Sequence, residues 1–575
     1  MNRKLSLLSI LGLLGVALVW MTVQPSLRGQ MKADKSAIAG TNAIAGMGSL
    51  SGMVKAPKEF KAAKVYAKNV DKNVVYMVYT DGGRYQAVDL LPGSYEVTVE
   101  KNGFTGGDVQ KVTVTAGSNA TADLSLEEGT FRADQQMRPG LPKNEPLLAY
   151  DELYPPGPGR VTIERTCMRC HGPDFVPNKQ WDADQWNAAI DLMQSTEPTS
   201  NPPGRISAAS VPQGISPQDR QVLVDYLVKN FGPSSTPRGL AVPEAPVDEK
   251  ALGKAMFIEY HIPPLPNGHE RRFHDEHLSL NGDVWYVDTA GLQFGKMDPR
   301  TASWTDYPVP NAGYRGHGLT QDAQGDIWVA GHTAFVRIDS KTGSMQFYPY
   351  YTGKSERPPH GNTPMVDSKQ NIFTTLMWTN ELAKWDRKTS EVSRFTVPTP
   401  YSSPYGAVVA QKDNVWVAEW TACKMAKFDT ATDKFTEYVP LSKPCTMRRL
   451  SVDHNGMVWY ALDSVGEIGM LNPNTGKTVE YTEPVPFSFP YDIKEDHDYN
   501  LWIADSGQGG GLIKFDPRTK KFTYYPAIQR TDMPKLEISG ENSIWYTTRG
   551  GDAKEQALGV LYPDKTKITT MAASY

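Results

Sequence analysis

The sequence predicts a mainly β chain with three folded parts: an N-terminal β-sandwich, a small α-helical domain and a C-terminal seven-bladed β-propeller. Three observations carry this prediction. An aromatic residue that follows a turn recurs at Trp285, Trp328, Phe373, Trp416, Trp459, Trp502 and Trp545, at spacings of 43, 45, 43, 43, 43 and 43 residues. A fixed period of that size, rich in strand and turn signals, marks propeller blades. Short alternating β-rich runs fill residues 49–127, whereas residues 145–233 carry helical periodicity around Cys167-Met168-Arg169-Cys170-His171.

Composition agrees with short strands. Of 575 residues, 49 are Gly and 43 are Pro, and aromatics make up 10 %, a balance that favours turns and strands over long helices. A net charge of −4 supplies no basic field, which excludes a nucleic-acid partner. Four cysteines are too few to scaffold so long a chain, so each is read on its own.

The chain opens with a short basic stretch, Asn2-Arg3-Lys4, followed by an apolar, uncharged run over residues 5–23. That order is an export signal. At 19 residues the run lies between a signal core and a spanning helix. Residues 1–30 are therefore read as a signal peptide or, if uncleaved, as an N-terminal membrane anchor. The remainder is expected in the periplasm, free or tethered to the inner membrane. No Cys follows the run, which excludes a lipoprotein. Residues 31–48 are small and repetitive and read as a linker.

In residues 49–127, Lys64-Val65-Tyr66-Ala67, the run 74–79, Tyr95-Glu96-Val97-Thr98-Val99 and Val112-Thr113-Val114 are strand-like, with turns at Asp81-Gly82-Gly83 and Leu91-Pro92-Gly93. About seven short strands in this span predict a small sandwich. The order Thr80-Asp81-Gly82-Gly83-x-Tyr85, Leu91-Pro92-Gly93-x-Tyr95-x-Val97 and Gly103-Phe104 resembles carboxypeptidase regulatory-like domains. The resemblance implies a non-catalytic β-sandwich.

Within residues 145–233, Pro155-Pro156-Gly157-Pro158-Gly159 precedes a short helical stretch that carries Cys167-Met168-Arg169-Cys170-His171, and two further helical patterns follow at 181–193 and 217–231. Cys-x-x-Cys-His is the pattern of covalent c-type haem attachment, in which Cys167 and Cys170 bond the haem vinyls and His171 supplies an axial nitrogen. A thioredoxin-like pair would need a βαβ context, and a zinc half-site would need a second ligand pair nearby; neither is present in the sequence. Met193 is the only methionine between Met168 and Met256, which makes it the candidate second axial ligand; the alternative is an open sixth position. The segment resembles small monohaem cytochromes c, which implies a one-electron carrier. Residues 234–253 are a proline-rich linker.

Residues 254–575 hold the propeller. Asp or Asn followed three residues on by Thr keeps step with the aromatic landmark and predicts a turn between the outer two strands of each blade. The run 257–263 precedes the first repeat and is expected to close the ring against the last blade, with 567–571 as a competing outermost strand. Eleven residues before each landmark stand His274, His317, Asn362, Tyr405, Arg448 and Tyr491, with Lys535 the best fit in the seventh repeat. These positions predict a polar funnel at the start of the innermost strands, a binding site or a merely wet mouth. His274, His317 and His360 fall in neighbouring blades and are candidate ligands for a second, divalent metal. Cys423 and Cys445 lie in loops on one propeller face, so a disulfide is expected, with two buried thiols as the alternative.

The propeller resembles the virginiamycin B lyase (streptogramin lyase) family through its His/Tyr-Gly, Trp and Asp-x-x-Thr pattern. In that family the resemblance implies a catalytic His flanked by two Glu residues that hold magnesium. Here Arg315 precedes His317 and His332 follows Trp328, so no single blade reproduces that set. The leading functional expectation is an exported c-type cytochrome that passes single electrons, with a propeller that binds a substrate or a redox partner protein. Catalysis would then be a haem-dependent oxidation at His274, His317, Arg448, Tyr405 and Tyr491. The alternatives are a metal-dependent lyase-like enzyme with accessory haem, and a non-enzymatic binding module.

Overall fold

The computed structural model describes residues 44–129, 146–168, 172–173, 175–194, 215–351, 358–507, 510–529, 531–549 and 556–575. The signal or anchor, most of the first linker, Cys170 and His171 lie outside the described residues. Among the described residues no helix is long and apolar enough to cross a membrane.

The N-terminal sandwich has nine strands. In one sheet Gly48–Lys55 lies between Arg84–Leu90 and Leu124–Glu128. In the other, Lys64–Asn69 lies between Val74–Tyr79 and Gly93–Glu100. Alternation sets the facing: along Gly93–Glu100, Tyr95, Val97 and Val99 are buried while Ser94, Glu96 and Thr98 are not. The two strands beyond the expected count, Phe104–Gly106 and Asn119–Thr121, are three residues each and too short to show a period.

The second sheet does not stop at the sandwich. Val74–Tyr79 pairs antiparallel with Met256–His261, which pairs in turn with Ala557–Tyr562 of the last blade. An eight-stranded sheet thus runs from the sandwich into the propeller. The run before the first repeat is therefore the outermost strand of blade 7. Residues 567–571 form no strand, and Ile568 and Met571 pack into the core instead. One apolar cluster joins Leu50, Tyr76 and Tyr95 of the sandwich to Ile258, Tyr260, Trp545 and Val560 of blade 7. The sandwich thereby covers an edge strand that would otherwise present unpaired backbone groups.

Glu259 sits in this shared sheet, fully buried, and accepts hydrogen bonds from Gln529 Nε2 at 2.7 Å and Tyr546 Oη at 3.1 Å. Burial pushes its carboxyl up to about 7. The folded state therefore holds a proton that the unfolded chain releases near pH 4.5, so stability falls as pH rises from about 4.5 to about 7 and is level outside that window. The loss is on the order of 3 kcal/mol at about 1.4 kcal/mol per unit. Glu259→Gln is expected to flatten this part of the profile in denaturant titrations; an unchanged slope between pH 5 and 7 would remove the assignment.

Six further blades are four-stranded antiparallel sheets. Every landmark aromatic is the second residue of its blade's second strand, as in Val284–Asp288, Ile327–Gly331 and Leu501–Asp505, and all seven are buried. The indole nitrogens of Trp328, Trp459 and Trp502 donate to a turn aspartate six residues upstream, Asp322, Asp453 and Asp496, at 2.8–2.9 Å. This staple fixes the inner hairpin of the blade. Asp496→Ala strands a buried indole N–H and is expected to cost about 1–3 kcal/mol in chemical denaturation. The Asp-x-x-Thr turns form as expected, the aspartate accepting local backbone N–H groups, as Asp339 does from Lys341 and Thr342.

Between sandwich and propeller lie short helices α1 (Tyr150–Leu153), α2 (Pro158–Thr166), α3 (Ala183–Gln194), α4 (Pro217–Phe231) and α5 (Glu249–Lys254). Pro158 starts α2, and Gly159 lets it cross α4 closely, since a Cβ there would lie 2.2 Å from the Tyr226 Cβ. Leu153, Tyr154, Ile163, Trp186, Leu223, Leu227 and Phe231 form the core of this unit. Tyr150 of α1 stacks at 5.1 Å on Phe487, in the loop that leads into blade 6.

Candidate functional site

The innermost strands carry an irregularity at the same place in five blades. In blade 1 Phe273 pairs with Asp288 and Glu276 with Tyr286, so His274 and Asp275 together oppose one residue. The same shift occurs at Gly316/Leu319, Gly361/Pro364, Pro404/Ala407 and Pro490/Asp492. A bulge of this kind re-aims side chains and suspends the alternation of a regular strand. His274, His317, Asn362, Tyr405 and Tyr491 all sit in it, each as the second residue of its strand. Arg448 precedes Leu450–Val452, and Lys535 precedes Leu536–Ile538.

Six of these seven residues form one connected cluster. The His274 and His317 ring centroids are 3.5 Å apart. His317 Nε2 lies 3.2 Å from Asn362 Nδ2 and 3.3 Å from Tyr405 Oη. Tyr405 Oη and Tyr491 Oη share a 2.5 Å hydrogen bond, and Arg448 Nη1 donates to Tyr491 Oη at 3.5 Å. The Arg448 guanidinium also lies over the Trp420 ring at 4.0 Å and is paired with Asp463 at 2.6 Å. None of the six is more than 8 % exposed. The expected funnel is therefore a packed polar cluster rather than a wet rim.

Lys535 turns elsewhere. Its ammonium donates to Glu537 and to the Glu276 carbonyl, and His277 and Tyr575 contact the same Glu537 carboxylate. His360 lies 5.6 Å from His317 but only 4.1 Å from His332, and it stacks on Trp378 at 4.4 Å. In place of His360 the structure sets Asp275 with His274 and His317: one donor atom from each lies within 4.8 Å of the others.

Sequence reasoning missed Asp275 and Arg449 because the register eleven residues before the landmark takes one residue per blade, and each of these follows that residue. Arg449 Nη2 reaches across the axis to both Asp275 oxygens, at 2.7 and 3.0 Å, a buried pair between blades 1 and 5. It missed Arg549 too, which lies over Tyr491 at 5.6 Å and is paired with Asp532. Burial first, and then the guanidiniums of Arg549 and Arg449, hold His274 well below the usual histidine range. Burial first, and then His274, do the same to His317. Both imidazoles are neutral at pH 7.

In the helical unit, Cys167 caps α2 and packs against the core beside Met168. Burial raises its thiol above the usual range. Tyr150 Oη lies 3.3 Å from Met168 Sδ. Met193 sits half-buried in the last turn of α3. Trp186 stacks edge-on against Trp181 at 4.8 Å, and its buried Nε1 has no hydrogen-bond partner among the described residues. Cys423 and Cys445 form the expected disulfide, with Cα atoms 5.2 Å apart.

The architecture defines a β-propeller fused edge-to-edge with a small β-sandwich. Residues 49–127 match the family model of the carboxypeptidase regulatory-like domain. No curated protein matches the chain. Among solved structures, a streptogramin B lyase overlaps 54 % of this chain and 97 % of its own, at 16 % identity and a TM-score of 0.47. A virginiamycin B lyase from Staphylococcus aureus, in a catalytically inactive form with quinupristin, overlaps 53 % and 99 %, at 17 % identity and 0.47. The WD40 propeller of Doa1 overlaps 54 % and 99 %, at 13 % identity and 0.40. At such values these are likenesses of fold, and the propeller assignment rests on the strand pairing itself.

Proposed function

We propose that this protein is an exported, periplasmic electron carrier of the c-type cytochrome class, whose propeller recognises a redox partner protein or a small substrate. The observation that carries the reading is the run Cys167-Met168-Arg169-Cys170-His171 in a helical unit. The residues present suit a haem. Cys167 stands at the end of α2 against an apolar core, and the Trp186 N–H, without a partner among the described residues, is a donor suited to a carboxylate such as a haem propionate. Cys170 would supply the second thioether and His171 an axial nitrogen, with Met193 as the candidate second axial ligand. Bound in this way, haem c supplies a one-electron iron couple. The Tyr150–Phe487 stack holds the helical unit at the end of the propeller where the bulged strands begin.

The lyase reading is not adopted, since Arg315 and His332 flank His317 where that pattern needs acids. A propeller that docks a partner without catalysis is favoured by one observation: the axial cluster is buried. The test uses protein produced with a c-type maturation system. Wild type is expected to keep haem through denaturing electrophoresis, and Cys167→Ala with Cys170→Ala to lose it. Loss of haem from wild type under the same conditions would end the proposal. His317→Ala then separates catalysis from docking: unchanged turnover with every reductant, together with unchanged partner binding, excludes a catalytic propeller.

A further inference from the structure

We propose that His274 and His317 bind one divalent first-row transition-metal ion, of the Zn²⁺ type, on the propeller axis, with Asp275 as the carboxylate that orients His274. The proposal is independent of the haem reading. It begins with the bulge, which aims two consecutive residues of blade 1 at the axis and sets the next blade's histidine beside them.

His274 Nδ1 is 2.7 Å from Asp275 Oδ1, so Nδ1 carries the proton and Nε2 the free lone pair. That Nε2 is buried and has no hydrogen-bond partner among the described residues. A carboxylate fixing the tautomer of a histidine whose other nitrogen is free is the arrangement that orients metal-binding imidazoles. On His317, Nε2 lies 3.2 Å from the Asn362 side-chain amide and 3.3 Å from Tyr405 Oη; metal binding at Nδ1 has Nε2 carry the proton and donate to Tyr405 Oη, with the Asn362 amide turned so that its oxygen faces the ring, and Nδ1 is buried without a partner among the described residues. Two buried ring nitrogens without a hydrogen-bond partner among the described residues thus sit on rings 3.5 Å apart, and a cation between their lone pairs satisfies both.

The donor set selects the ion. Imidazole nitrogens favour zinc, copper, nickel and iron over magnesium and calcium, which take oxygen ligands. The set also differs from a magnesium site built on acids flanking the register histidine, since those positions here are Arg315 and His332. The surrounding cations do not oppose it outright, because each guanidinium is paired: Arg449 with Asp275, Arg448 with Asp463 and Arg549 with Asp532.

The test uses the full-length protein after dialysis against a chelator, titrated calorimetrically with Zn²⁺ alone, with zinc content measured by mass spectrometry. One tight equivalent per chain is expected. His274→Gln and His317→Gln are each expected to weaken it by about 100-fold or more, and Asp275→Asn by about 10–100-fold. His454→Gln, an exposed histidine remote from the cluster, is expected to leave it unchanged. X-ray absorption at the zinc edge of the wild type is expected to show two imidazole ligands, which keeps the test decisive should a histidine variant fail to fold. No stoichiometric binding by the wild type, unchanged affinity in both folded histidine variants, or an all-oxygen shell would each overturn the proposal.

Discussion

Truncating Tyr260 to alanine is expected to lower the stability of the sandwich and the propeller together, by about 3–5 kcal/mol for a buried aromatic. Tyr260 lies on the strand that both share. It pairs with Val74 on the sandwich side and Leu558 on the blade side, and it stacks at 6.3 Å on the landmark Trp545. Its hydroxyl donates to the Pro299 carbonyl of blade 1, so the lost ring also frees a contact across the closure of the ring. A cavity here weakens one continuous apolar cluster rather than one domain's core. Calorimetry is expected to show a single transition displaced downward by several degrees. A new early transition confined to the sandwich, with the propeller transition unmoved, would show that the shared sheet is not a cooperative unit.

Asp275→Ala is the second substitution expected to have a large effect. It removes the carboxylate that Arg449 spans with one nitrogen, and it leaves a buried guanidinium with Thr363 Oγ1 at 3.4 Å and the Tyr405 ring at 5.9 Å. Stranding one member of a buried ion pair costs about 3–5 kcal/mol, mostly the desolvation of the charge left behind. Asp275→Leu combined with Arg449→Met removes both charges and is expected to recover most of that loss. Urea titration of the three proteins decides the matter. A single variant as stable as wild type would mean that Arg449 finds another partner and that the axis is not held by this pair.

The blades were legible in the sequence because packing enforces their period. A landmark aromatic must enter the core at the same depth in each sheet, so its spacing barely varies, and all seven positions fall at one place in the second strand. The disulfide followed from loop position in the same way. Two features were not legible. The pairing of Val74–Tyr79 with Met256–His261 joins residues some 180 positions apart, and an edge strand carries no local mark of which partner covers it. The bulge in blade 1 breaks the period of two from which inward facing is read, so Asp275 was invisible beside His274, and Arg449 precedes its strand, where no alternation marks its facing. The burial of the cluster was missed for a related reason: polar residue types suggested a solvated mouth, whereas their mutual hydrogen bonds let them pack across the axis.

The pH behaviour and the metal site concern the propeller and its junction. The functional account rests on the short cysteine–histidine run in the helical unit. The direct test is the pyridine haemochrome spectrum of matured, full-length protein after extraction with acidified organic solvent, which removes non-covalent haem. The account predicts that one haem per chain stays with the polypeptide, with the spectrum of a doubly thioether-linked c-type group. Haem that extracts into the solvent, or a polypeptide that matures without any, would contradict it.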